Sequence, residues 1–249
     1  MKKLPFYGPP QHEVKTMSIQ ENIAAIRAKM DAAAIAAGRD PKQILLCAAT
    51  KMNDANAVRE AIRCGVDCCG ENRVQELTAK LADDAYAGKP VHFIGHLQTN
   101  KVKQVVGKVA LIQSVDSLRL LEAIQKEAAK QDICQNILLE INIGQEENKT
   151  GFTICEVWDI LDNIENYPNI AVKGLMAIPP ICANPGDNDK FFQEMYNLAV
   201  DITAKKGDNV SMEILSMGMS DDFMDAIRCG STMIRVGTAI FGARNYAHQ

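Results

Sequence analysis

Two cations sit where a folded chain rarely tolerates them, and both are placed to do chemistry. Lys51 closes the apolar run Ile44-Leu45-Leu46-Cys47-Ala48-Ala49-Thr50, which reads as a strand buried on both faces. A lysine at such a strand end points its amine toward the mouth of whatever the strand builds. When desolvated it loses its proton readily, which suits it to Schiff-base chemistry with an aldehyde. The plain alternative is a solvated lysine just past a strand end. Arg235 lies within Met233-Ile234-Arg235-Val236-Gly237-Thr238-Ala239-Ile240-Phe241-Gly242, which carries no other charge. A buried guanidinium needs acceptors. They could be a core carboxylate such as Glu140 or Glu213, in a structural ion pair, or a ligand's ring nitrogen or anionic group.

Directly after Arg235, Gly237-Thr238 offers backbone N–H groups and a hydroxyl. The loop Ser216-Met217-Gly218-Met219-Ser220 leads into Asp221-Asp222-Phe223-Met224, a helix start. Glycine backbones and a helix N-terminus beside hydroxyl side chains are the parts of a phosphate cradle. Asp221 and Asp222 would repel the anion from inside, so they are assigned to the first helical turn. His92 and His96, four residues apart on one strand, would stand roughly 13 Å from each other, too far to share an ion. His96, at the strand end, can contact a ligand; His92 reads as structural. The eight cysteines form no Cys-x-x-Cys pair and have no histidine at zinc-finger spacing. That argues against a structural metal site and makes them small buried hydrophobes. No Gly-x-Ser-x-Gly elbow is present. Lys149, in the loop Gly144 to Phe152, reads as an ordinary loop lysine, with a second amine near the mouth as the alternative.

These residues need a scaffold that gathers distant strand ends. Strand candidates are Ile44–Thr50, Val66–Gly70, Val91–Gly95, Leu111–Val115, Ile137–Ile143, Val172–Ile178, Met212–Met217 and Thr232–Gly237. Between them run helical patterns: Asn53–Arg63, Asn72–Ala82, Thr99–Val106, Ser117–Lys130, Thr153–Ile164, Asp189–Lys205 and Ser220–Cys229. An earlier helix opens at the capping box Ser18-Ile19-Gln20-Glu21 and stops at Gly38 and Asp40-Pro41. Strands alternating with helices specify parallel βα units, hence an α/β fold: a (β/α)8 TIM barrel or a doubly wound sheet. No Gly-x-Gly-x-x-Gly follows the first strand, so a single barrel is the better reading. Its chemistry should lie at the carboxyl ends of the strands. Those ends present Lys51, Asn72, His96, Asp116, Asn142, Met176, Ser216 with Met217, and Arg235 to Thr238.

The expected organisation is a flexible Pro-rich leader over 1–17 and a barrel over 18–249. A net charge of -4 with interleaved signs gives no nucleic-acid partner. No apolar run approaches the roughly 18 residues of a membrane span, and Leu4 to Pro10 supplies no signal-peptide core. Cysteines without a disulfide framework indicate a reducing cytoplasm, and the lack of an exposed apolar helix stripe favours a monomer.

A lysine on the first strand, an arginine on the eighth and a phosphate cradle after the last two together describe pyridoxal 5′-phosphate held in a barrel. The chain resembles the pyridoxal phosphate homeostasis protein family, which shares its barrel with the amino-terminal domain of alanine racemase. The stretches that carry this are Ala48-Ala49-Thr50-Lys51, Gly70-Glu71-Asn72-Arg73-Val74-Gln75-Glu76 and His92-Phe93-Ile94-Gly95-His96-Leu97-Gln98-Thr99-Asn100-Lys101. They continue with Gly174-Leu175-Met176, Leu215-Ser216-Met217-Gly218-Met219-Ser220-Asp221-Asp222, and Arg235 through Gly242.

The resemblance implies a barrel of the alanine racemase amino-terminal type, fold type III of pyridoxal phosphate proteins, without the carboxy-terminal β domain. It implies that Lys51 holds the cofactor covalently, Arg235 faces the pyridine nitrogen and Asn72 lines the ring pocket. Ser216, Gly237 and Thr238 would bind phosphate, with Ser220 a second candidate for the serine role. His96, Met176 and Met217, at neighbouring strand ends, complete the expected cofactor contacts. Arg73 stands where a tyrosine is frequent and Thr50 where a serine is frequent; both flank the key residues.

An arginine beside the ring nitrogen disfavours a protonated ring and weakens its electron sink. Racemases of this arrangement add a tyrosine from a separate β domain of the partner subunit. This chain ends at Gln249, right after the barrel, and Tyr7, Tyr86, Tyr167, Tyr196 and Tyr246 fall away from the strand ends. The expectation is therefore a carrier that buffers pyridoxal phosphate or delivers it to apo-enzymes, in support of vitamin B6 and amino-acid balance, with little or no turnover. The alternatives are a small amino-acid racemase or decarboxylase using the same cofactor, with Lys149 or solvent supplying the proton, and a cofactor-free barrel acting on a sugar phosphate.

Overall fold

The apolar runs close into a ring. A computed structural model describes residues 17–181, 184–205, 207 and 209–242. Its strands are β1 (Leu45–Ala49), β2 (Cys68–Glu71), β3 (Val91–Phe93), β4 (Leu111–Val115), β5 (Gln135–Ile141), β6 (Ile170–Ala177), β7 (Val210–Ser216) and β8 (Met233–Val236). All pair in parallel and in chain order, and β8 returns to β1 to close the barrel. The doubly wound alternative is excluded. Around the barrel lie α1 (Ile19–Ala36), α2 (Ala55–Arg63), α3 (Val74–Ala82), α4 (Leu118–Lys130), α5 (Ile154–Asp162), α6 (Asp189–Lys205), α7 (Phe223–Arg228) and the short α8 (Thr238–Phe241). The expected leader, residues 1–16 of it, lies outside the described residues.

The helices start where the sequence says they should. Ser18 and Glu21 form the capping box of α1, and Thr153 with Glu156 forms another at α5. One expected helix differs: Thr99–Val106 forms a 3-10 helix over Thr99–Gln104. Gln98 gives it no side-chain cap, and Val102, Val105 and Val106 are β-branched, so the segment closes in tighter turns.

Alternate residues along each strand face the barrel interior, and the others face the helices. The helix-facing set, including Leu46, Phe93, Ile112 and Leu139, merges with Ile23, Leu77, Leu121 and Phe192 into the main core. The interior set holds Cys47, Cys68 and Met233 on one side and Leu111, Leu138 and Met176 on the other, with Ile214 between.

A buried ion pair pins the carboxyl end of β1. Lys80 Nζ, on α3, lies 2.5 Å from Glu71 Oε1 and donates to the Thr50 carbonyl at 2.7 Å. The Thr50 hydroxyl donates to the same carboxylate oxygen. Both charged side chains are buried. One carboxylate thus fastens β1, β2 and α3 together immediately before Lys51 and Asn72. Lys80→Met would leave Glu71 charged and unpaired in the interior, a loss of about 3–5 kcal/mol in denaturant unfolding. Lys130→Met, which removes the exposed partner of Glu127, should cost under about 1 kcal/mol. Equal losses in the two variants would refute the role given to Lys80.

Candidate functional site

Lys51 leaves the barrel in a tight turn. Asn53 N donates to Thr50 O at 3.2 Å, and Asn53 Nδ2 donates to Lys51 O at 3.0 Å. Between them Met52 takes φ 62°, a left-handed conformation that costs a methionine about 1 kcal/mol. Its N–H donates to Glu76 Oε2 at 2.6 Å, so α3 holds the turn from the side. Lys51 is half-buried there.

Asn72 follows Glu71 at the end of β2. Its Oδ1 is buried and has no partner in the protein, a state that costs roughly 1–3 kcal/mol unless a ligand supplies the missing bond. The backbone of Asn72 is crowded by Gly95, where a Cβ would come within 2.3 Å of Asn72 O. Only glycine lets the chain after β3 pass there. Beyond it, His96 Nδ1 lies 2.8 Å from Asp116 Oδ2, with the imidazole 59% exposed and the carboxylate 3%. Glu140, on β5, faces the same space. Burial raises its carboxyl from 4.5 to about 7, the charge of Asp116 adds to the shift, and Arg235 and His96 oppose it.

Arg235 is held inside the barrel by three hydrogen bonds. Its Nη1 donates to Ser216 O at 2.8 Å and Ser216 Oγ at 2.6 Å, and its Nη2 donates to Ala177 O at 3.0 Å. Ser216 Oγ in turn donates to Gln113 Oε1 at 2.7 Å, and Gln113 Nε2 lies 2.9 Å from His92 Nδ1. His92 Nδ1 stands 3.6 Å from Cys68 Sγ. A string of polar side chains therefore crosses the interior from β8 to β2. Next to it, the hydrogen bond with Cys68 pulls the Cys47 thiol down to about 6, and the same contact pushes Cys68 up.

The loops after β7 and β8 meet as expected, with a different serine at the junction. Gly218 takes φ 92°, and its carbonyl accepts from Arg235 N at 3.0 Å, which folds the β7 loop onto β8. Ser220 Oγ then accepts from Ala239 N at 3.5 Å. The next two amides, Ile240 N and Phe241 N, both donate to Gly237 O, at 2.9 and 3.0 Å. Ser216 is buried behind them and spends its hydroxyl on Arg235 and Gln113. Asp222 accepts from Met219 N at 2.7 Å and from Asn188 Nδ2 at 3.1 Å, so it braces the loop rather than capping α7.

The carboxyl end of the barrel thus gathers Lys51, Asn72, His96, Arg235, Gly237, Thr238 and Ser220. Met176 and Met217 are fully buried: Met176 packs inside the barrel with Leu111 and Leu138, and Met217 joins the helix-facing core. Arg235 meets carbonyls and a hydroxyl where a contact with Glu140 or Glu213 had been an alternative; Glu140 acts on it at longer range. Lys149 pairs with Glu146 at 2.5 Å and donates to Pro179 O at 3.4 Å, joining two loops. Sequence reasoning missed the mouth position of Glu140 and the grouping of Cys47, Cys68 and His92. The signal for both was inward parity on neighbouring strands, not spacing along one segment.

Comparison with known proteins follows the same outline. The family of the alanine racemase, N-terminal domain, matches residues 14–245. The chain is 39% identical over 230 residues to the pyridoxal phosphate homeostasis protein of Aquifex aeolicus, covering 92% of this chain and 100% of that one. It is 37% identical over 232 residues to that of Escherichia coli, covering 92% and 98%. Among solved structures it is similar to PipY of Synechococcus elongatus without PLP, at TM-score 0.80 and 30% identity, and with PLP bound, at 0.78 and 29%. Both cover 90% of this chain and 100% of PipY. Alanine racemase of Clostridium difficile shares the fold at TM-score 0.71 and 14% identity, over 91% of this chain and 58% of that one.

Glu140 also sets a pH dependence. Its folded value lies above its unfolded one, so its contribution to stability is full below about 4.5 and is lost as pH rises through about 7. Between about pH 5 and pH 8 the ligand-free protein should lose about 2 kcal/mol relative to Glu140→Gln in urea unfolding. Parallel stability profiles for the two proteins would remove this assignment.

Proposed function

The chain belongs to the pyridoxal phosphate homeostasis protein family, built on the alanine racemase amino-terminal fold, and from that premise we propose that it binds pyridoxal 5′-phosphate at the carboxyl end of its barrel and buffers or delivers it. The observation that carries this reading is the buried, unpartnered Asn72 Oδ1 at the strand end beside Lys51. A buried acceptor left open at the strand end fits a ligand with a polar ring edge.

The residues present fit the cofactor. When bound, pyridoxal phosphate supplies an aldehyde for an amine and an electron-withdrawing ring. Lys51 offers the amine from a turn braced on both sides. Arg235, fixed by three hydrogen bonds, keeps further donors for the ring nitrogen; because it cannot give up a proton, it keeps one from settling there. Ser220, Thr238 and the Gly237–Thr238 backbone hold the phosphate, and Ser216 acts through Arg235.

Holding is favoured over turnover. Among the described tyrosines, Tyr86 precedes β3, Tyr167 precedes β6 and Tyr196 lies on α6, all away from the carboxyl ends of the strands. Burial and the Glu71 carboxylate push the Tyr86 hydroxyl above its ordinary range, which removes it further from proton transfer. One observation favours a second reading, an amino-acid racemase or decarboxylase: the His96–Asp116 pair at the mouth could serve as acid and base. Apo-enzymes that use the cofactor are the recipients in the carrier reading, in a cytoplasmic and monomeric setting. Among the described residues no helix is long and apolar enough to cross a membrane.

Addition of pyridoxal phosphate should give a visible absorption band, and borohydride should fix the cofactor on Lys51; Lys51→Ala should lose both. Ser220→Ala and Thr238→Ala should each weaken binding roughly tenfold, the loss of one charge-assisted hydrogen bond. An unchanged adduct in Lys51→Ala would remove the site. Racemisation or decarboxylation of an amino-acid panel at about 1 s⁻¹ or faster would replace the carrier reading with the enzyme reading.

A further inference from the structure

Cys47, Cys68 and His92 come from three successive strands and face the barrel interior. Cys47 and Cys68 are register partners on β1 and β2, and His92 of β3 pairs with Gly70, two residues beyond Cys68. One ligand atom from each lies within 4.8 Å of the other two, and all three residues are buried. Gly70 keeps the space clear, since a Cβ there would stand 3.0 Å from Cys47 Sγ. Met233 lies in the same buried cluster as the two cysteines. Donors held on strands are more precisely placed than donors on loops. Two thiols, an imidazole and a neighbouring thioether are a soft set, suited to Cu(I) or Zn(II) and unsuited to magnesium or calcium.

Charge chooses between the two soft ions. Arg235 is the register partner of Cys47 on β8 and is permanently cationic. Two thiolates around a divalent ion would be neutral and leave that guanidinium only the longer-range charges of Glu140 and Asp222. Two thiolates around a monovalent ion carry one negative charge, which the guanidinium balances. Gln113 completes the arrangement: its Nε2 lies 2.9 Å from His92 Nδ1 and 3.2 Å from Met233 Sδ, so it can pass from the ring nitrogen to the thioether when the imidazole turns to a metal.

The geometry points to a Cu(I) site formed by Cys47, Cys68 and His92, inside the barrel beneath the proposed cofactor site and independent of it. On binding, each S–H bond that breaks releases its proton to solvent as an S–Cu bond forms; the copper stays Cu(I) and no electron moves.

The test uses the full chain carrying Cys134→Ser and Cys155→Ser, which removes the two exposed thiols among the described residues. The protein is refolded without oxygen in the presence of Cu(I), because the ligands are buried, and is then challenged with the chelator bicinchoninate. Stoichiometric copper should survive the challenge. X-ray absorption should show the two sulfurs and one nitrogen of the site on the metal. Cys47→Ala or Cys68→Ala should weaken retention by roughly 100-fold or more, the upper end of what loss of an outer-shell partner costs a metal site. Pyridoxal phosphate binding by the variants serves as the check on folding. No retention by the unaltered site, equal retention by Cys47→Ala and Cys68→Ala, or a copper spectrum without sulfur would overturn the proposal. The spectrum decides even if the variants fail to fold. Preferential retention of Zn(II) would overturn the choice of a monovalent ion.

Discussion

A guanidinium that cannot lose its proton stands inside the barrel, and the interior is arranged around its need for acceptors. Arg235 takes carbonyls from the ends of β6 and β7 and a hydroxyl from Ser216. Ser216 then needs Gln113, and Gln113 reaches His92. One buried charge thereby turns half of what would be an aliphatic barrel core into a continuous polar string. The same bonds fix the ends of three neighbouring strands, where the loops proposed to hold phosphate begin. On β1, which adjoins β8, and on β2, Lys80 and Glu71 do the equivalent work. The proposed cofactor residues lie between these two anchors, which explains how a site drawn from separate loops can be held in place.

Much of this was legible in the sequence because it shows as charge out of place. Lys51 and Arg235 stood out against apolar runs, and short runs alternating with helical patterns gave the barrel. What stayed hidden depends on register. Ser216 and Ser220 sit in one glycine-bearing loop with the same chemistry on paper. Only the end point of β7 turns one inward to Arg235 and carries the other to Ala239. Met176 likewise faces inward, at the level of Glu140, where it packs with Leu111 and Leu138. Cys47, Cys68 and His92 fall on three separate segments, so no motif of local spacing can find them. They meet because adjacent parallel strands place register partners side by side.

The interior has two storeys with different chemistry. The upper one, with His96, Asp116, Glu140 and the guanidinium, is wet at its edge and changes charge near neutrality through Glu140. The lower one holds sulfur and aliphatic carbon around Cys47, Cys68 and Met233. Arg235 belongs to both, donating at the top of the barrel while facing the cysteines along β1. Changes of charge on either storey are felt by the other through this one residue.

The alternation of inside and outside along each strand also limits how the chain can change in length. One residue inserted within β2 would rotate Asn72 away from the mouth or Cys68 away from the interior, or force the strand to bulge. Two residues would restore the directions but raise every later side chain by about 6.6 Å. The middle of the Gly144 to Phe152 loop lies outside the staves and is tied mainly through Asn142, Lys149 and the bridge at Phe152. Length variation in such a barrel is therefore expected in the connections and forbidden in the staves.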